Sequence, residues 1–499
     1  MIEQMNRYVG IESLIPTVGI FALSLYFYYS RTHKKNYPPG PKGLPVLGCV
    51  TQLGEHPSNT LTALSKKYGN VFSIQIGMNN YVILNDYESI HEALLKKNDD
   101  FSGRPDVLLL RQMGQGHGII FRDHGPEWKS QKKFAVACLR ELGVGKKRLE
   151  DLILAEVNHL AEDIECRGRK AFNSQKLFVK ATGNIVCELL LGSRMPYNNE
   201  TYCRLVDCLD TTFFKKTTTP SVLALIVAPI VRFLPGFRDV YGSFCKDLDK
   251  TFEILHELLE NHKNNFDDAD IRDFVDTFLN QMKSKSNKDP VFKELQIFQL
   301  MRELFVAGSV NISVMLRWSI LCFANHPEHQ EKIKREVDEV IGEGVPSMKH
   351  REDMPYTCAF LQEILRHRTL VPLSMPHKTT NDTSFGGYEI PKDTPVLTNL
   401  WAVQHDPEHF ADPEEFRPDR FLDEDGKFVQ DSHVIPFSFG PRYCMGDQLA
   451  KIELFLFLTS IVQRFNVIAD SKHHLPSLND GVFGVVYVPP DFEVRFESR

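Results

Sequence analysis

The stretch FSFGPRYCMG, residues Phe437 to Gly446, decides the fold because it sets one cysteine, Cys444, in surroundings suited to a metal. A cysteine binds iron as thiolate, which nearby positive charge or a helix N-terminus stabilises. Arg442 lies two residues before the cysteine, and an apolar helical run, DQLAKIELFLFLTSIVQRF, follows Gly446. Gly440 and Gly446 let the backbone press against a flat ligand, which the ring of Phe437 can cover. An isolated cysteine is more often a small buried hydrophobic residue, but five residue types at fixed spacing favour a ligand.

This spacing resembles the cysteine-ligand signature of the cytochrome P-450 family. Further landmarks, LQEILRHR, NLWAVQHDP and PEEFRPDRF, extend the resemblance over essentially the whole chain and are similar to those of animal microsomal members. The resemblance implies haem b with the Cys444 thiolate as the axial ligand of its iron. It also implies a cytochrome P-450 fold, mainly α with small β-sheets, preceded by a single N-terminal transmembrane helix.

Composition narrows the class of protein. Hydrophobic residues make up 42% of the 499 residues, so the chain can bury a large core. The net charge of -7, from 58 basic and 65 acidic residues, argues against a general nucleic-acid binder. Ten cysteines without paired CxxC clusters indicate reduced thiols facing the cytosol rather than a disulfide framework.

The N-terminal segment differs in composition from the rest. No charged residue lies between Leu14 and Tyr29, and the basic cluster RTHKK follows this apolar run. A signal peptide carries its positive charge before the apolar region, so we interpret residues 1–35 as a retained anchor and its basic flank. The catalytic domain, residues 49–499, would then face the cytosol from the endoplasmic reticulum membrane. The alternative is a cleaved signal or a buried helix. Pro16, within the apolar run, weakens the interpretation as an anchor.

The segment after the anchor, YPPGPKGLPVLG, cannot be helical because its prolines lack donors and fix φ. It lies in residues 36–48, which resemble the family's proline-rich hinge. Beyond it, NVFSIQIG and NYVILND are predicted strands, and helix dominates after Gly125. A second apolar stretch, Pro220 to Phe237, is either core or, as the family implies, a membrane-interfacial gate for substrate.

Several polar residues match the haem contacts of the family. A buried haem carries two propionates, and each needs donors or cations to leave water. The resemblance assigns this role to Arg104, Trp128, Lys132, His377 and Arg442. Trp128 and Lys132 are four residues apart and share a helix face. The family more often has arginine at position 132. The lysine here supplies a point charge rather than the planar, bidentate donors of a guanidinium group.

Glu363 and Arg366 lie three residues apart in LQEILRHR. Such a pair on an isolated helix is usually solvated and contributes a few tenths of a kcal/mol. The resemblance implies instead that the pair joins Arg420, in FRPDRF, to form a buried triad that supports the cysteine loop.

The long helix predicted from about Glu294 to Ala324 departs from the family pattern at its centre, ELFVAGSVNISVMLRW. In the family, an alanine–glycine pair, here Ala307 and Gly308, opens a groove over the iron, and an acid and a threonine follow that relay protons during dioxygen activation. Val310 and Asn311 stand at those two positions. Valine cannot carry a proton, and an amide is not a general acid near neutral pH. We therefore expect Ala307, Gly308 and Asn311 to form a catalytic wall without the usual relay.

Two interpretations of the reaction stay open. The favoured one is rearrangement of polyunsaturated fatty-acid hydroperoxides without a reductase, as an epoxyalcohol synthase, hydroperoxide lyase or allene oxide synthase of oxylipin metabolism. Thiolate ligation favours O–O cleavage, and some family members that rearrange peroxides carry an asparagine over the haem.

The alternative is an NADPH-reductase-dependent mono-oxygenase that hydroxylates or epoxidises fatty acids, steroids or xenobiotics, with protons arriving through ordered water. Lysines 129, 132 and 133 resemble the family's reductase-docking surface and support it. A haem protein that binds ligand without turnover, as a carrier or sensor, is a third class.

The substrate is lipophilic under either reaction. The segment VLLLRQMGQGHGIIF, residues 107–121, is expected to form part of the pocket wall. Arg111 or His117 is a candidate partner for a carboxylate head group, although a lone basic residue there is more often solvated.

Overall fold

The structure is a computed structural model, and it describes residues 36–44, 47–143, 145, 147–218, 236–284, 291–472 and 474–499. The predicted membrane anchor, residues 1–35, and all but the last two residues of the apolar stretch Pro220 to Phe237 lie outside the described residues.

The described chain is mainly helical. Its first α-helices are α1 Pro57–Tyr68, α2 Tyr87–His91, α3 Asn98–Phe101, α4 Leu108–Gly114, α5 Pro126–Glu141, α6 Lys147–Arg167, α7 Gln175–Leu191 and α8 Glu200–Leu209. The later ones are α9 Phe237–Lys263, α10 Phe274–Ser284, α11 Glu294–Asn325, α12 Pro327–Glu336, α13 Pro355–His367, α14 Leu400–Gln404 and α15 Asp447–Arg464. Helix α11 matches the predicted long helix to within a residue, and helices dominate after Gly125 as expected.

The strands form three small sheets, which confirms the mainly-α class with small sheets. They are β1 Val71–Ile76, β2 Asn79–Leu84, β3 His377–Lys378, β4 Thr383–Phe385, β5 Tyr388–Ile390, β6 Pro395–Thr398, β7 Phe465–Ala469 and β8 Val494–Ser498. One sheet has the order β1-β2-β6-β3, with β2 and β6 parallel, and the pairs β4–β5 and β7–β8 are antiparallel. The predicted strands NVFSIQIG and NYVILND are β1 and β2, joined by a turn in which Gly77 has φ +61°.

The described part of the proline-rich segment lies along the free edge of β1. The Ser73 N–H donates to Pro39 O (2.7 Å), and the Gly77 N–H donates to Leu47 O (3.1 Å). The Cys49 N–H donates to Gln75 O (2.7 Å). The segment therefore completes hydrogen bonds that the outermost strand of the sheet would leave open.

Helix α11 crosses the centre of the fold and packs closely on α7. Small residues allow this, because a Cβ on Gly308 would lie 2.6 Å from a Val186 methyl group. The Thr182 hydroxyl also donates to Ser309 O across the two helices (2.8 Å). Among the described helices, α11 alone is long and apolar enough to cross a membrane, but 72% of its apolar window is buried inside the fold, as in a core helix.

Candidate functional site

The cysteine loop, residues Phe437 to Gly446, leads directly into α15. The Cys444 N–H donates to Phe437 O (3.2 Å), and α15 begins directly after Gly446. Gly440 has φ +71°, and a Cβ there would lie 1.8 Å from Leu94 O, so only glycine fits. This backbone contact by itself requires glycine, and an approach to a flat ligand stays a prediction. Gly446 has no such restriction, since its Cβ would meet only the Cys444 sulfur at 3.9 Å.

The Cys444 side chain is exposed, whereas eight of the ten cysteines are buried or partly buried. The surrounding protein nevertheless raises the pKa of its thiol through desolvation, which the Gly446 N–H and two nearby lysines partly oppose. A metal that binds this sulfur must therefore displace a proton.

Two buried guanidinium groups converge near the loop without a carboxylate partner among the described residues. Arg104 donates to Ile120 O (2.9 Å) and Pro376 O (2.9 Å). Arg442 donates to the carbonyl oxygens of Ser102 and Ile119, both at 3.0 Å, and stacks on Trp128 with 4.0 Å to the ring centroid. Burial, and repulsion from Arg104, lower the pKa of Arg442 to about 8. Burial lowers the pKa of Arg104 to about 10.

These groups fit the propionates of a haem. Two positive charges that are buried close together are stabilised by anions, and a haem carries two propionate groups that can pair with them. Trp128 donates its indole N–H to Ile119 O at 3.0 Å, and its ring supports the Arg442 guanidinium. His377 is buried, and burial holds its pKa well below the ordinary value, so it is neutral and its one N–H, at Nδ1, donates to Phe101 O (2.8 Å). Its Nε2 can donate to a propionate only in the protonated form, which an adjacent anion stabilises.

Lys132 lies beside the convergent arginines and also contacts the cysteine loop. Its Nζ donates to the carbonyl oxygens of Pro441 and, at 3.3 Å, Tyr443, which flank Arg442. Burial, and repulsion from Arg442 and Arg104, lower the pKa of Lys132. Its role toward a propionate stays a prediction.

The structure brings Glu363, Arg366 and Arg420 together in the interior. Glu363 and Arg366 are both fully buried and form two hydrogen bonds, at 2.6 and 2.8 Å. The Arg420 Nε lies 3.2 Å from the same carboxylate, which also accepts from the Arg417 N–H (2.8 Å). The pair is therefore part of a buried cluster and not a solvated helix pair.

Gln404 links this triad to the cysteine loop. The Arg366 guanidinium donates to Gln404 O (2.7 Å). The Gln404 side chain accepts from the Ile435 N–H (2.9 Å) and donates to the Thr369 hydroxyl (2.6 Å). Ile435 lies two residues before Phe437, where the loop begins. Gln404 lies in the landmark NLWAVQHDP, but the sequence does not show its role, because its partners come from three separate segments.

We expect Gln404→Ala to lower stability by about 2 to 3 kcal/mol, because the buried Ile435 N–H loses its acceptor and the Thr369 hydroxyl, which still donates to Arg366 O, loses the donor to its oxygen. Thermal unfolding and haem content of the purified protein measure the effect. Gln448→Ala, at an exposed position in the first turn of α15, is the matched control. Equal stability and haem content in the two variants would contradict a linking role.

Helix α11 forms one wall of a cavity of about 870 Å³. Ala307, Val310 and Asn311 line it, and Asn311 makes no side-chain hydrogen bond within the described chain. Gly308 lies outside the lining and faces α7, so its small size serves helix packing, contrary to the groove expected over the iron. The cavity is mostly apolar, and its size suits a lipophilic molecule.

The 107–121 segment contributes Val107, Leu110, Met113, Ile120 and Phe121 to the wall, as expected. The two proposed carboxylate partners do not lie there. Arg111 is an exposed residue that pairs with Asp106. His117 Nδ1 lies 3.0 Å from the amide nitrogen of Gln296.

A different arginine, Arg302, lines the cavity next to Glu303. Sequence reasoning missed both residues, although two adjacent charges in the middle of a largely apolar core helix are an unusual signal.

Comparison with known proteins agrees with this geometry. The cytochrome P450 family model matches residues 38–496. Cytochrome P450 2B2 of Rattus norvegicus is 34% identical over 478 residues, covering 94% of this chain and 96% of the relative. Cytochrome P450 2J1 of Oryctolagus cuniculus is 38% identical over 460 residues (91% and 91%), and cytochrome P450 2J2 of Homo sapiens is 37% identical over 441 residues (88% and 87%). The chain therefore belongs to the cytochrome P450 family, whose cofactor is haem b with a cysteine thiolate as axial ligand.

Proposed function

We propose that the chain is a mono-oxygenase of lipophilic substrates, held at the endoplasmic reticulum membrane and reduced by an NADPH-dependent reductase. One oxygen atom of dioxygen enters the substrate and the other leaves as water, with two electrons coming from NADPH. The observation that carries the proposal is the mostly apolar cavity beside the α11 wall, in a chain that aligns with cytochromes P450 along nearly its whole length.

In this proposal the haem supplies oxygen activation. Cys444 would hold its iron, and the residues around its propionates would be Arg104, Arg442, Trp128 and His377. The protein contributes an apolar cavity, which excludes bulk water and holds the substrate. Asn311 presents to that cavity an amide without a hydrogen-bond partner among the described residues, and such an amide can hold a water molecule in place without donating a proton as an acid. Protons then reach the site through ordered water rather than through a carboxyl and a hydroxyl group.

This proposal replaces the reductase-free rearrangement favoured from the sequence alone. The chain is similar to cytochromes P450 2B2 and 2J1 along nearly its whole length. This similarity supports mono-oxygenation, the usual reaction of the family, more than the rearrangement of peroxides. The unpaired amide of Asn311, with valine before it, is the one feature that still favours rearrangement, because cleaving a hydroperoxide O–O bond needs no delivered protons.

One experiment separates the two reactions. The purified full-length protein is incubated with a polyunsaturated fatty acid, reductase and NADPH, and separately with the corresponding hydroperoxide alone. We expect oxygenated product only in the first mixture, with one oxygen atom from labelled dioxygen. Rapid multiple turnover of the hydroperoxide, with no oxygenation in the NADPH reaction, would overturn the proposal.

Asn311→Ala is expected to lower product formed per NADPH consumed by roughly tenfold, about 1.4 kcal/mol, because the water it holds loses its partner. Substrate affinity should change little, since the amide contributes little apolar contact. Asn261→Ala, at an exposed position of α9, is the control. Unchanged coupling in Asn311→Ala would remove this residue from proton delivery.

A further inference from the structure

Arg302 is a buried cation whose hydrogen-bonding edge is unused. Its side chain is 4% exposed, and neither terminal nitrogen donates a hydrogen bond to any residue that the structure describes. Its guanidinium carbon lies 3.9 Å from the centroid of the Phe252 ring. Stacking occupies the face of the guanidinium and leaves its N–H donors, which lie in the plane, free.

The neighbouring acid does not neutralise Arg302 by contact. Glu303 accepts hydrogen bonds from the Ile119 N–H (2.6 Å), the Ile120 N–H (2.9 Å) and the Gln299 amide (3.0 Å). Within the described residues, no carboxylate oxygen lies within ion-pair distance of Arg302. A buried charge without a partner is destabilising by several kcal/mol, so its presence in a cavity wall points to a ligand that pairs with it.

We propose that Arg302 binds the carboxylate of an amphipathic acid substrate and so fixes which end of the chain enters the cavity first. This inference rests on the proposed mono-oxygenase function and adds the substrate class. Arg302 is the one lysine or arginine among the described residues of the cavity wall. Phe252 also lines the cavity, so the stacked pair forms part of the surface that meets a substrate.

The chemistry of the site favours a carboxylate over other anions. A single guanidinium matches one planar carboxylate with two parallel hydrogen bonds. The negative charge of Glu303 nearby disfavours a doubly charged phosphate. The rest of the described wall is mostly apolar, which suits a hydrocarbon tail.

The helix sets the reach of the substrate. Arg302 and Asn311 are nine residues apart on α11, which is about 13 Å along the helix axis. Val306 and Val310 line the cavity between them. An acid anchored at Arg302 therefore places carbons far from its carboxyl group beside Ala307 and Asn311, and oxidation is expected toward the distal end of the tail.

The test measures binding of oleic acid, methyl oleate and octanoic acid to the holoenzyme and to its Arg302→Gln variant. The change in haem absorbance on adding each ligand reports its binding. We expect Arg302→Gln to weaken oleic acid binding by at least about tenfold and to leave methyl oleate binding within about twofold. Octanoic acid should bind the parent protein more weakly than oleic acid. Arg111→Gln, which removes an exposed arginine on α4, is the matched control and should leave the affinities for oleic acid and methyl oleate unchanged.

Product analysis gives a second readout. The parent protein should oxidise oleic acid at a narrow set of distal carbons, and Arg302→Gln should broaden that set. Equal affinity of parent and Arg302→Gln for oleic acid would overturn the inference. So would an equal loss of acid and ester binding, which indicates a general structural defect. Continued NADPH-dependent oxidation of methyl oleate in either case would leave the mono-oxygenase function standing, whereas no oxidation of any lipid would refute that function instead.

Thermal unfolding of Arg302→Met separates a binding role from a stabilising one. We expect its melting temperature to equal or exceed that of the parent, because an unpaired buried charge is replaced by an apolar side chain of similar length. A melting temperature lowered by several degrees would show that the fold depends on Arg302, and would count against an unpaired cation kept for ligand binding.

Discussion

Replacing Cys444 with alanine is expected to abolish the absorbance shift that carbon monoxide produces in reduced, thiolate-ligated haem. The loop positions this sulfur through the hydrogen bond from the Cys444 N–H to Phe437 O (3.2 Å) and the start of α15. No other side chain of the loop can act as a thiolate. Mono-oxygenase activity should fall below detection in the same variant.

Cys166→Ala is the control for this experiment, because Cys166 is the other exposed cysteine. It should keep the full spectrum and full activity. A thiolate-type spectrum in the Cys444→Ala protein would place the iron on another sulfur and overturn the site described above.

Glu363→Ala is expected to prevent haem incorporation rather than slow turnover. The substitution leaves Arg366 and the largely buried Arg420 facing each other without the carboxylate, at a cost of about 3 to 5 kcal/mol. Because Gln404 connects Arg366 to the segment before the cysteine loop, the disturbance should reach the haem site. Haem content per polypeptide and thermal unfolding measure it.

The chain offers a matched pair for comparison. Glu260 and Lys263 have the same three-residue spacing on α9 and lie 2.8 Å apart, but their side chains are partly exposed to solvent. Glu260→Ala should therefore change stability by no more than about 0.5 kcal/mol and leave haem content unchanged. Full haem content in Glu363→Ala would show that the triad does not support the site.

The sequence predicted those features that depend on local pattern. Strands β1 and β2, the length of α11 and the helical setting of Glu363 and Arg366 follow from periodicity, and the cysteine loop follows from a fixed spacing. The family resemblance placed Arg104 and Arg442 near the loop, and the structure brings them together there.

Other features depend on contacts between distant segments. Lys132 meets carbonyl oxygens more than three hundred positions away, and Gly308 faces a valine on α7. Arg302 reads in the sequence as one more charge on a helix. Only the packed structure shows that its terminal nitrogens have no hydrogen-bond partner in the part of the chain that is described, and that it lines the cavity. Arg111, the arginine suggested by sequence, lies at the surface instead.

The segment that borders β1 has a practical consequence for preparing shortened forms of the protein. Uncovered outer strands recruit strands from other molecules and start aggregates. Residues near Pro39 and Leu47 occupy that position here. A shortened form made for crystallisation should therefore begin before Asn36, since removing the proline-rich segment would expose the edge of β1 to other molecules.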